Sequence, residues 1–179
     1  MTTQKGMRKL RAVSDASILI HLSAIGRFHL LKDLFQEIVI PEGVYEEVVV
    51  EGWGLPGSLE TAEAIRSGFI AVKRVIDKEE VRNISYEYGI SISNAEVIQL
   101  AKEMNAEVVL ADEEEVREGA EEGGFDVRGC LGILLESAKI GILTPQKAMQ
   151  DVDDLVESGY RVSEEIVNKV KEILRRWEL

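Results

Sequence analysis

The sequence predicts an α/β fold with a mainly parallel central sheet, and three observations carry that expectation. Short runs rich in Val and Ile recur along the chain, segments of helical period lie between them, and the junctions carry helix-boundary residues. Successive strands separated by helices imply βαβ units, because parallel neighbours need a long crossover between them.

The first strand is "RAVS" (11–14), followed by a helix that begins near Ser17 and closes at Gly26. The second is "EIVI" (37–40), after which Pro41 suits the first turn of a helix carrying Val44, Tyr45, Val48 and Val49. "EGWGLPGS" (51–58) reads as an irregular surface loop, and Trp53 within it is either a partner anchor or a lid. Gly68 ends the next helix just before the strand "FIAV" (69–72). In "SISNAEVIQLAKEM" (91–104), Val97, Ala101 and Met104 mark a buried helical stripe, with Asn94 closer to it than Glu96. The strands "EVVLA" (107–111) and "FDVR" (125–128) enclose a helix containing Val116 and Ala120. Gly141 and Gly159 suit helix C-termini, while Thr144-Pro145 and Ser163 suit helix starts. At 179 residues one domain is expected: a basic tail (1–11), an α/β domain (12–143) and a two-helix extension (144–179) packed on it.

Charge narrows the function classes. The 33 acidic residues outnumber 21 basic ones, giving a net charge of -12, so unspecific adhesion to nucleic acid or anionic lipid is disfavoured. A polyanionic substrate would need a local basic surface or a cation. The one basic cluster is Lys5, Arg8, Lys9 and Arg11, either a solvated tail or a substrate contact. A single Cys130 excludes an intrachain disulfide, and two histidines, His21 and His29, cannot assemble a zinc site. Cys130 is expected to pack as a small hydrophobe, and His21 to be a core or interface residue. A reducing cytoplasm fits, and no apolar run reaches the roughly 20 residues of a membrane span.

In an open parallel sheet the functional crevice lies beyond the carboxyl ends of the strands. The first strand delivers Asp15 there, the second leads to Glu46 and Glu47, and "VVLA" delivers Asp112 ahead of Glu113, Glu114 and Glu115. Carboxylates gathered in one crevice repel and resist ionising unless a hard divalent cation joins them. Each also has a plain structural reading. Asp15 and Asp112 could cap the helices that follow them, and Ser93 with Glu96 has the spacing of a capping box. Helical period leaves Glu46 and Glu47 equivalent.

Four blocks, "VSDASILIHLSAIGRFHLLKDLF", "IVIPEGVYEEV", "SNAEVIQLAKEM" and "VVLADEEEVREGAEEGGFDVRGCLGILLESAKIGIL", together resemble a PIN domain of the VapC-like subfamily with a short helical C-terminal extension. The resemblance implies a three-layer α/β/α fold and an endoribonuclease dependent on Mg2+ or Mn2+. It implies that Asp15, Glu47 and Asp112 are catalytic and hold the metal, with Glu113 as a further ligand and Ser17, Asn94 and Glu96 supporting. Arg117 and Gly129 match subfamily features. Asn94 departs from the family pattern, which has an acidic residue there; an amide brings neither charge nor base.

The expected partners are an RNA substrate, a second copy of the chain in a homodimer, and an antitoxin protein, with no membrane. Ile166, Val170, Ile173 and Trp177, spaced by four, three and four, form a stripe suited to one other helix, in the same chain or a second copy. The competing expectation is a PIN-like binding or regulatory module that has lost catalysis. Phosphoryl transfer to Asp15 would need a second acid two residues on, where Ser17 stands.

Overall fold

The computed structural model describes residues 8–179, so Lys5 of the expected basic cluster lies outside the described residues. Five strands, β1 (Leu10–Ser14), β2 (Phe35–Pro41), β3 (Ile70–Lys73), β4 (Val108–Leu110) and β5 (Asp126–Arg128), form one parallel sheet in the order β3-β2-β1-β4-β5. The chain winds outward from β1 through β2 to β3, then returns to lay β4 on the other side of β1. The direction of winding therefore reverses between β1 and β4. At such a switch point the flanking loops part and leave a crevice at the carboxyl ends of the two strands.

The strands carry Val and Ile without polar alternation because helices cover both faces. Ala12, Val13, Val108, Val109 and Leu110 are completely buried or nearly so. The helices are α1 (Ala16–Ala24), α2 (Leu30–Leu34), α3 (Glu42–Tyr45), α4 (Ser58–Arg66), α5 (Lys78–Tyr88), α6 (Ile92–Met104), α7 (Glu114–Glu122), α8 (Cys130–Lys139), α9 (Pro145–Glu157) and α10 (Glu164–Arg176). A π-helical turn, Glu46–Glu51, continues α3.

Helix α6 corrects two expectations. Its N-cap is Ser91, whose hydroxyl accepts the Asn94 N–H, so the Ser93 and Glu96 capping box does not form. Glu96 is buried at 8% exposure whereas Asn94 is half-buried, reversing the expected order. A single buried stripe does not describe α6, which packs on β1, β2 and β4 while α3, α5 and α7 cover its other sides. Gly43 lets α3 come this close: a Cβ there would sit 2.8 Å from both Glu96 Oε1 and Ser93 Cβ.

The last two helices are tied into the same core. α9 packs on α8 and α1, and α10 packs on α9 and α8. Arg27, just after α1, grips the buried Asp151 of α9 through two hydrogen bonds, at 2.8 and 3.2 Å. The inward face of α10 is centred on Val170 and Leu174, while Ile166 and Trp177 of the expected stripe are 48% and 39% exposed. α10 ends at Arg176, so Trp177 is its C-cap, and the side chain lines a groove with Leu143 and Pro145.

The described members of the basic cluster stand at the amino end of β1, at the opposite end of the strand from Asp15. There Arg8 pairs with Glu107, Arg11 pairs with Glu37, and Lys9 donates to the Lys32 carbonyl.

Candidate functional site

A cleft of ≈ 830 Å³ opens at the carboxyl ends of β1 and β4. Asp15, Ser17, His21, Glu47, Asn94 and Glu113 line it, with Glu46, Glu51, Glu96 and Glu115 also on its walls. Among the described residues on those walls there is no lysine or arginine. The titratable side chains on those walls, His21 apart, are all carboxylates.

Asp15 ends β1 and starts α1, and it performs the capping role as well as facing the cleft. Its Oδ1 accepts the Ile18 N–H at 3.0 Å, and the Ser17 hydroxyl reaches both carboxylate oxygens at 2.9 Å. The residue is 1% exposed. Burial pushes its carboxyl up from 3.8 to about 7; the charges of Asp112 and Glu113 add to the rise, while the Ile18 and Ser17 hydrogen bonds oppose it. Two donors to a carboxylate would ordinarily hold it ionised, so desolvation next to other acids wins here.

Asp112 does not cap the helix that follows it. The N-cap of α7 is Glu113, and Glu114 and Glu115 occupy its first turn as exposed acids at the positive end of the helix dipole. Asp112 turns to α8 instead. Its Oδ1 accepts the Cys130 N–H at 2.9 Å, an otherwise unpaired donor in the first turn of α8, and the Tyr160 hydroxyl at 2.6 Å. Its Oδ2 is buried and has no hydrogen-bond partner. Gly129 is required by this arrangement, since a Cβ there would stand 2.5 Å from Asp112 Oδ1 and 3.0 Å from Arg117 Nη1. Arg117 itself donates to the Ala111 carbonyl at 3.1 Å.

The remaining acids reach inward from the rim. Glu47 takes a long 3.5 Å bond from the Ser93 hydroxyl, and its carboxyl is raised by partial burial and by the charge of Glu113. Glu46 and Glu47 both line the cleft, and Glu47 is the one that takes the Ser93 hydroxyl, a contact helical period could not reveal. Asn94 Nδ2 donates to Glu113 Oε2 at 3.1 Å, so the amide at the departing position restrains an acid through its donor side. Glu96 is raised by burial, against the pull of Lys78 and of the Gly43 N–H.

Among the described residues, no three His, Cys, Asp or Glu side chains are gathered tightly enough to make a ready-formed metal cage. The donor chemistry nonetheless fits a hard divalent cation. Asp112 stands behind the cleft wall rather than on it; a cation reaching its partnerless Oδ2 would relieve both that oxygen and the raised carboxyl of Asp15. Glu47 and Glu113 are exposed side chains that rotamer changes can move.

Sequence reasoning missed Tyr160 and the Cys130 N–H, and assigned His21 elsewhere. His21 lines the cleft and meets the Tyr160 ring edge-on, centroids 5.2 Å apart at 87°. Nothing in a tyrosine 48 positions downstream signals contact with Asp112. No local periodicity links them, and only the packing of α9 brings them together.

A family model described as a PIN domain matches residues 11–176. No curated protein matches the chain.

Proposed function

The chain belongs to the PIN domain family, and from that premise we propose that it is an endoribonuclease dependent on Mg2+ or Mn2+. The observation that carries the reading is the buried, partnerless Oδ2 of Asp112, close enough to Asp15 for its charge to help raise that carboxyl. Asp15, Asp112 and Glu47 hold the cation in this reading, with Glu113 as a further ligand. Bound there, Mg2+ or Mn2+ supplies Lewis acidity, activating water and offsetting charge on the phosphodiester.

The protein's own groups do the positioning. Ser17 fixes both oxygens of Asp15, the Cys130 N–H and the Tyr160 hydroxyl fix Oδ1 of Asp112, and Asn94 steadies Glu113. The acidic walls repel RNA phosphates, so RNA binding would call for the same cation as cleavage. A homodimer and a VapC-like pairing with an antitoxin, which rest on the resemblance, and a cytoplasmic location, which fits the lone cysteine, complete the proposal. Among the described residues, no helix is long and apolar enough to cross a membrane.

The second reading, a PIN-like binding or regulatory module, is favoured by Asn94, which supplies no charge where the family pattern has an acid. Incubating a labelled mixed RNA pool with purified protein separates the two. The nuclease reading expects cleavage with Mn2+, none with EDTA and none by Asp15→Asn. Intact RNA under all three conditions supports the module.

A further inference from the structure

We propose that Tyr160 is a positioning residue that restricts Asp112 to a single ligating oxygen and thereby sets which cation the site accepts. The inference rests on the reading of Asp112 as a metal ligand and goes beyond it.

A carboxylate oxygen has two lone pairs in its plane. On Asp112 Oδ1 both are taken, by the Cys130 N–H at 2.9 Å and the Tyr160 hydroxyl at 2.6 Å, while the buried Oδ2 has no partner. The two oxygens are thus unequal before any ligand arrives. Tyr160 is held in place from its own side. Gly159, at φ 100, reverses the chain after α9, and the Tyr160 N–H returns to the Leu155 carbonyl at 3.1 Å beside the Gly159 N–H on Val156, also at 3.1 Å. This Schellman closure fixes the backbone, and the His21 edge fixes the ring. The Arg27 grip on Asp151 anchors α9 to the turn after α1. Backbone closure and ring contact together hold the hydroxyl towards Asp112.

Denticity decides cation choice. Mg2+ demands near-octahedral geometry and takes carboxylates through one oxygen each, whereas Ca2+ accepts six to eight oxygens and commonly uses both atoms of a carboxylate. With Oδ1 saturated, Asp112 suits the first ion and denies the second part of its shell. Losing the hydroxyl frees one lone pair of Oδ1 and removes the restraint on the carboxylate's rotation.

Calorimetric titration of the full chain with Mg2+ and with Ca2+, wild type against Tyr160→Phe, tests this. The phenylalanine ring preserves the packing on His21. The expected result is Mg2+ affinity about tenfold weaker, as losses of ligand-orienting partners usually are, with Ca2+ affinity unchanged or tighter. Equal weakening of both ions, or no change in either, overturns the proposal while leaving the metal site standing. A wild-type protein that binds neither ion overturns the metal-site reading and this proposal with it. Should Tyr160→Phe fail to fold, wild-type protein carrying 13C at tyrosine Cζ provides the second measurement. The Tyr160 signal, assigned by elimination through Tyr45→Phe, Tyr86→Phe and Tyr88→Phe, should move as Mg2+ is added; a stationary signal overturns the proposal.

Discussion

Replacing Asp15 with asparagine should stabilise the metal-free protein at neutral pH and leave it unchanged in acid. The folded-state carboxyl of Asp15 is raised from 3.8 to about 7, chiefly by burial. Between those values the unfolded chain has released the proton and the folded chain has kept it. Stability falls with rising pH wherever the folded state binds more protons. The contribution is therefore fully present below about pH 4 and is lost as pH rises to about 7. At about 1.4 kcal/mol per unit, a rise of roughly three units is worth about 4 kcal/mol. The substituted amide keeps an oxygen for the Ile18 N–H and cannot ionise, so the mutant lacks this loss. Glu47 and Glu96 are also raised, which makes the difference between wild type and mutant the informative quantity, since their titration is common to both. Thermal melts in EDTA from pH 4 to pH 8 should show curves that coincide in acid and separate towards neutrality, by up to roughly 8–16 °C for a chain of this size. Adding Mn2+ at about 100 times its dissociation constant should raise the wild type by about 2.7 kcal/mol and the mutant far less. A difference that stays constant across the pH range, with a metal response retained by the mutant, would refute the argument and leave Asp15 as a helix cap.

Other perturbations probe separate parts of the arrangement. Asn94→Asp places a second carboxylate against Glu113, where the amide now donates at 3.1 Å; it should lower metal-free stability by about 1 kcal/mol and tighten Mn2+ binding, both read by melts with and without the ion. Gly129→Ala drives a methyl into Asp112 Oδ1, 2.5 Å away, and should cost about 1–3 kcal/mol and weaken Mn2+ binding in a calorimeter. Asp151→Ala leaves the largely covered Arg27 guanidinium without its carboxylate; a loss of about 3 kcal/mol, or roughly 6–12 °C in melting temperature, is expected, and a loss below about 1 kcal/mol would show that α9 is held by its apolar face alone.

Strand and helix alternation was legible in the sequence because it is a local property. Val- and Ile-rich runs buried on both faces have no polar alternation, and the residues that end and start helices sit beside them, so all five strands were identifiable to within two residues at each end. The acidic strand ends were equally legible: Asp15 and Asp112 follow directly from where β1 and β4 stop. Local pattern failed where several elements meet. Glu96 was misjudged because a helix enclosed on several sides has no single stripe, and Glu46 could not be told from Glu47 because the contact Glu47 makes is with Ser93 of another helix. The cap proposed for Asp112 was refused because the neighbouring α8 offered a free N–H and Tyr160 a hydroxyl, from positions 18 and 48 residues away. Sequence alone determined which residues carry charge and at which strand ends they stand. Tertiary structure decided which oxygen of each carboxylate is satisfied and which is left bare, because hydrogen bonding and desolvation depend on neighbours in space.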